Sequence, residues 1–174
     1  NITMAEAIEA SEKVLSGGGK LTVFTPNAEI AQACAESEET MRIVSSADML
    51  LPDGAGVLKA AEILGTPLKE KVAGVEYGEN IVRLCAEKGY SLYILGGKPG
   101  VAEKAAENLQ NKYSELKIAG CRDGYFDKSF DGSESTVNAI NESGADVLFV
   151  CLGFPVQEKW AYENKSRISA KIIA

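Results

Sequence analysis

Apolar residues return along this chain in two alternating rhythms. Short β-type runs are followed by stretches where they recur every three or four residues. Thr3-Met4-Ala5-Glu6 is a capping box that opens a helix to about Ser16, and Gly17-Gly18-Gly19 stops it. Leu21-Thr22-Val23-Phe24 is a strand ending at Thr25-Pro26-Asn27, and Asn27 is placed to cap the helical segment AEIAQACAE. A second helical stretch, Glu38 to Ala47, leads to the strand Met49-Leu50-Leu51, cut off by Pro52-Asp53-Gly54. Helical spacing resumes from Val57 to Leu64 and from about Glu76 to Lys88. Strand Leu92 to Leu95 then runs into Gly96-Gly97-Lys98-Pro99-Gly100 and a helix through Tyr113. Strand Leu116 to Ala119, a loop at 122–126, a helix from about Ser133 to Ser143 and strand Val147 to Cys151 follow. Gly153-Phe154-Pro155 opens a last helix, and Lys171-Ile172-Ile173-Ala174 begins another strand.

Strands alternating with helices of this length predict a single α/β domain over residues 1–174. Its expected architecture is Rossmann-like, a mostly parallel sheet with helices on both faces. The chain stops inside an element, so the natural protein is expected to continue.

Composition removes several chemistries. The 174 residues include no histidine, which excludes Ser-His-Asp and Cys-His catalysis, a histidine base and His-ligated zinc. A base must then be a carboxylate or a less usual group such as Lys, Tyr or Cys. The net charge is −7, with +2 in residues 151–174 and −9 in the rest. Such an acidic body argues against nucleic acid as a partner. Cys34, Cys85, Cys121 and Cys151 show no metal-ligand spacing and read as free buried thiols of a reducing compartment. The longest apolar run, Val147 to Phe154, is far shorter than the ~20 residues of a spanning helix.

In an open parallel sheet, ligands bind beyond the carboxyl ends of the strands. Five such ends carry unusual residues: Thr25 to Asn27, Pro52 to Gly56, Gly96 to Gly100, Asp123 to Tyr125, and Gly153 to Glu158. The Gly96–Gly100 turn enters a helix, so its N–H groups could hold a phosphate with Lys98 adding charge; a turn needed only for geometry explains it equally well. Asp53 reads first as a turn residue and second as a base at a cleft floor. Capping accounts for Asn27, and Glu158 in a first helical turn complements the helix dipole. Trp160 and Tyr162 read first as packing residues and second as candidates to line the cleft.

At these same residues the sequence resembles the WecG/TagA/CpsF family of bacterial glycosyltransferases. The matching stretches are Thr25-Pro26-Asn27, LPDGAGV at 51–57, VAGVEY at 72–77, LYILGGKPGVAEKAAENL at 92–109, GCRDGYF at 120–126 and CLGFPVQEKW at 151–160. Lys71, Glu76 and Val156 stand where Arg, Asp and Lys are usual in that family. The resemblance implies transfer of N-acetylmannosamine from UDP to the 4-hydroxyl of GlcNAc on undecaprenyl diphosphate, with inversion, in the making of the wall teichoic acid linkage unit. It implies Asp53 as base, with Thr25 as a second catalytic group. Substrate contacts are implied at Asn27, Gly54, Gly56, Gly74, Gly96, Gly97, Lys98, Asp123, Gly124, Gly153, Gln157 and Glu158. It also implies a cytoplasmic enzyme, peripheral on the inner face of the plasma membrane, which it meets through a basic C-terminal segment beyond this chain. The sequence contains no D-x-D pair, so a metal-bridged diphosphate is not expected, and neither is a cofactor. Lys98, Lys71, Arg122 and Lys159 are the cations nearest the expected cleft. Self-association through apolar surface left open is a further expectation.

Three alternatives fit parts of the pattern. A related donor such as UDP-ManNAcA would suit the same turns. A nucleotide-dependent oxidoreductase lacks its glycine fingerprint and the acidic residue that follows it. A non-catalytic nucleotide-sugar binding protein would keep fold and pocket without the chemistry.

Overall fold

The computed structural model describes all 174 residues. Eight helices, α1 (Met4–Gly17), α2 (Ala28–Glu36), α3 (Glu38–Ser45), α4 (Ala55–Ile63), α5 (Gly74–Lys88), α6 (Val101–Lys112), α7 (Glu134–Glu142) and α8 (Val156–Asn164), surround one sheet. Its strands are β1 (Leu21–Phe24), β2 (Met49–Leu50), β3 (Ser91–Gly96), β4 (Lys117–Arg122), β5 (Val147–Cys151) and β6 (Ile172–Ile173). They lie in the order β2-β1-β6-β5-β3-β4, and every pairing is parallel. The expected α/β class and Rossmann-like layering are therefore observed.

Alternate strand residues supply two cores. Leu21, Val23, Leu92, Ile94, Val147 and Ile172 pack under α1, α5 and α6. Phe24, Tyr93, Leu95, Leu148, Val150 and Ile173 pack under α7 and α8 on the opposite face. Side chains of a strand point to opposite faces in turn, so a strand covered on both sides must be apolar at almost every position. This is why VLFV reads as an unbroken run and LTVF is interrupted only by Thr22. A third, smaller cluster of Ile30, Cys34 and Val44 packs α2 and α3 against Phe154.

The short β6 has the largest topological effect. Leu21 and Val147 both register with Ile172, so two residues join the β1–β2 half of the sheet to the β5–β3–β4 half.

Local signals act largely as expected. Thr3 and Glu6 form the reciprocal capping box, and Asn27 Oδ1 accepts from the Ile30 N–H at 3.0 Å. Several boundaries differ. Strand β4 continues through Gly120, Cys121 and Arg122, because the edge position beside β3 supplies backbone partners that a local reading lacks. Helices α4 and α5 each begin two residues before the expected start, the latter because its cap comes from a distant side chain described below. The cysteines also divide: Cys34 and Cys85 are buried, Cys121 is half-buried and Cys151 is exposed at the sheet edge, so the expectation of four buried thiols holds for two.

Trp160 is 1% exposed, meets Phe126 edge-on, and donates its indole N–H to Ser133 Oγ at 2.8 Å. Replacing it by Ala should cost about 3–5 kcal/mol, read by urea denaturation. A loss below about 1 kcal/mol would show that this core collapses around the vacancy.

Candidate active site

Because the strands are parallel, all their carboxyl ends meet at one edge of the sheet. A cavity of about 720 Å³ opens there. Thr25 from the end of β1, Gly74 at the start of α5, and Gly153 and Gln157 around the start of α8 supply its polar rim. Phe149, Val150 and Cys151 of β5 form its floor, and α5 and α6 wall it with Val75, Val82, Leu109 and Tyr113.

Asp53 is anchored beside this rim. Its Oδ2 accepts from the Gly74 N–H at 3.0 Å, and its own N–H donates to Pro26 O at 3.1 Å. The N–H of Val72 donates to Pro52 O at 2.9 Å, completing the tie between the β1 and β2 ends and α5. The α5 N-cap residue, Ala73, has no capping side chain, so Asp53 caps that helix from 21 residues away. A carboxylate at a helix N-terminus is favoured by the helix dipole. Only Oδ2 is engaged, which leaves Oδ1 of the half-buried side chain unbonded within the protein. The turn role and the cleft role of Asp53 thus fall on different oxygens.

Gly74 is also in a tight place. A Cβ on it would stand 3.0 Å from Thr25 Oγ1, so a larger residue there would require the Thr25 side chain to shift.

The glycine turn after β3 is tied into the sheet. Gly96 has φ of +133°, and a Cβ there would fall 2.1 Å from Cys151 O. The Gly97 N–H donates to that same carbonyl at 3.2 Å, and Gly97 O accepts from Gly124 N–H at 2.9 Å. The Gly97 N–H, expected in a phosphate cradle, thus already has a backbone partner. Gly96 serves the close approach of β3 to β5, and Gly124 joins β4 to both.

Other expected residues lie apart from the cavity lining. Asn27 is exposed with Oδ1 on its cap, Gly54 and Gly56 begin α4, and Lys98 is exposed. Asp123 Oδ1 accepts from Tyr125 N–H at 2.7 Å, an Asx-type turn. Of the cations named, Lys71 pairs with Glu76 at 3.9 Å and Lys159 with Glu39 at 3.8 Å, while Arg122 stacks over Phe126.

Glu158, expected among the substrate contacts, lies in the core in this structure. It is 3% exposed, its Oε1 accepts from Gln157 Nε2 at 3.0 Å, and Oε2 has no partner. Burial pushes its carboxyl above the ordinary carboxylate range, against the weaker lowering from Gln157.

Sequence reasoning missed the apolar walls. Lys112 and Tyr113 meet Glu79 across the cavity mouth, and Gly78 of α5 faces Phe149. The one legible signal was Gly74 and Gly78, four residues apart on one helix face. No group of three or more Cys, Asp or Glu side chains stands together so as to hold a metal ion, and no helix is long and apolar enough to cross a membrane.

Two stability predictions follow from these contacts. Asp53→Ala removes the α5 cap and should cost about 1 kcal/mol in urea denaturation, whereas Asp53→Asn keeps an acceptor for Gly74 and should cost only a few tenths. Equal losses would show that the charge, and not the acceptor, holds the helix. Glu158 has a folded pKa above its unfolded one, so the folded state holds its proton more tightly and stability falls as pH rises through that window. Stability of the wild type relative to Glu158→Gln should therefore decline as pH rises above the ordinary carboxylate range, and a flat difference would contradict the burial effect.

The sequence is similar to those of known proteins. A Staphylococcus aureus (strain MRSA252) protein named N-acetylglucosaminyldiphosphoundecaprenol N-acetyl-beta-D-mannosaminyltransferase is 26% identical over 175 residues, covering 99% of this chain and 67% of that protein. A Bacillus subtilis (strain 168) protein of the same name is 28% identical over 144 residues, covering 82% of this chain and 54% of the relative. The chain thus spans between about half and two thirds of the length of these relatives. The family match runs over residues 1–174, and the chain belongs to the glycosyl transferase WecG/TagA/CpsF family.

Proposed function

We propose that this chain carries the catalytic body of an inverting glycosyltransferase that moves N-acetylmannosamine from UDP-ManNAc to the 4-hydroxyl of GlcNAc-diphospho-undecaprenol, forming a β-1,4 bond in the teichoic acid linkage unit. The names of the two relatives support the donor and acceptor classes. The observation that carries the reading is Asp53, held by Gly74 at the rim where Thr25, Gly153 and Gln157 surround one cavity.

Asp53 Oδ1 takes the proton of the acceptor hydroxyl as that oxygen attacks C1 of the donor sugar. The C1–O bond to the diphosphate breaks on the opposite face, and UDP leaves with the electron pair. Inversion follows from this single displacement, and one base suffices. Thr25, beside Gly74, helps place the reacting hydroxyl. Backbone N–H groups and nearby cations meet the charge on UDP, in keeping with the missing D-x-D pair. A lipid-linked acceptor puts this reaction at the inner face of the plasma membrane, with the protein peripheral to it.

Asp53→Asn keeps the α5 cap while removing the base. Turnover of UDP-ManNAc with a short-chain lipid-linked GlcNAc acceptor should fall by about 10²–10⁴-fold. Wild-type turnover in that variant would remove Asp53 from the mechanism. UDP-ManNAcA assayed in parallel identifies the donor, and calorimetry should detect UDP binding without NAD binding.

A further inference from the structure

Glu158 is the one charged residue among the 46 buried residues of the chain. No cation lies within salt-bridge distance of it, and its Oε2 has no hydrogen bond. A buried carboxylate without a counter-ion costs folding free energy that an apolar side chain would not. Its neighbours in the small cavities on either side, among them Phe24, Val44, Phe154 and Ala161, would accept an apolar side chain. Packing therefore does not explain a glutamate here.

Its single partner supplies the explanation. Gln157 Oε1 accepts from the Gly153 N–H at 3.0 Å, and a backbone N–H can only donate. The amide orientation is thereby set, with Nε2 turned to Glu158 Oε1 at 3.0 Å. Both ends of the amide are held, yet each keeps one free position, a lone pair on Oε1 and an N–H on Nε2. Gln157 lines the large cavity beside Thr25 and Gly153.

We propose that Glu158 is a positioning residue that locks the Gln157 amide, and that the locked amide reads a neutral polar group of the donor sugar, a hydroxyl or the acetamido group, and not the diphosphate. This rests on the glycosyltransferase reading above. The neutral target follows from the amide's two free positions: a phosphate only accepts, so it would set its oxygens against the free lone pair on Gln157 Oε1. A hydroxyl or amide pairs with the free lone pair and N–H without that penalty.

The test combines spectroscopy with binding. In a ¹⁵N-labelled protein, the Gln157 side-chain NH₂ pair, assigned by its loss in Gln157→Leu, should be well dispersed in the wild type and in Glu158→Gln. It should collapse toward free-amide positions in Glu158→Ala, and in Glu158→Met, which fills the volume should the alanine variant fail to fold. Affinity for UDP-ManNAc should drop roughly tenfold in the Ala and Met variants and stay within a few-fold in Glu158→Gln, while affinity for UDP alone is unchanged. An unmoved NH₂ pair in both Ala and Met variants overturns the lock. Equal loss of UDP and UDP-sugar binding overturns the assignment to the sugar. A wild type that shows the dispersed NH₂ pair but binds no UDP-sugar overturns the glycosyltransferase reading and the sugar contact with it, and leaves the lock supported.

Discussion

Six strands that run the same way must all end at the same edge, and backbone groups at those ends have no strand partner left to meet. The parallel sheet thus delivers Thr25, the Asp53 turn, Gly97, Asp123 and Gly153 to one side of the molecule before any side-chain chemistry is considered. The two residues of β6 complete the arrangement. Without Ile172 and Ile173 between β1 and β5, the Thr25 end and the Gly153 end would have no hydrogen-bonded strand joining them.

The edge is made rigid by hydrogen bonds between loops. Asp53 reaches Gly74, Gly97 reaches Cys151, and Gly124 reaches Gly97, so loops far apart in sequence hold each other. Polar groups used in this way are oriented before a ligand arrives, and their reorganisation need not be met during binding or reaction. The same economy explains why two glycines expected at the site serve geometry. Gly96 and Gly74 let backbone and helix approach where a methyl group would collide with Cys151 O or crowd Thr25 Oγ1.

Much of this was legible in the residue pattern, because the inner strands β1, β3, β5 and β6 are covered on both faces and so are largely apolar. The Thr3–Glu6 box and the Asn27 cap were legible because their partners lie three residues away. Non-local contacts were not. The start of α5 was misplaced because its cap is Asp53, and β4 was cut short because Gly120 to Arg122 have their partners on β3. Glu158 stands between Gln157 and Lys159 in a stretch that reads as solvated helix, so its burial shows only when α8 is laid against β1 and α3. The resemblance to the glycosyltransferase family, carried by the order of the strand-end stretches, pointed to Asp53 more sharply than periodicity did. Geometry then separated the residues on the cavity, Thr25, Gly74, Gly153 and Gln157, from those apart from it, such as Lys98 and Asp123.

Two carboxylates near one site with opposite surroundings are suited to opposite tasks. Asp53 is half-buried, with one oxygen on a helix N-terminus and the other unbonded, so a substrate hydroxyl can reach it. Glu158 is enclosed, bonded only to Gln157, and held above the ordinary carboxylate range by burial. A group that must take a proton from an incoming acceptor has to touch that acceptor, and Glu158 cannot. What a buried carboxylate can do is hold a neighbour still, and the neighbour it holds is the amide on the cavity rim. The difference between the two therefore follows from exposure alone: the accessible carboxylate keeps an oxygen open at the rim, and the enclosed one is bonded to the amide that faces the cavity.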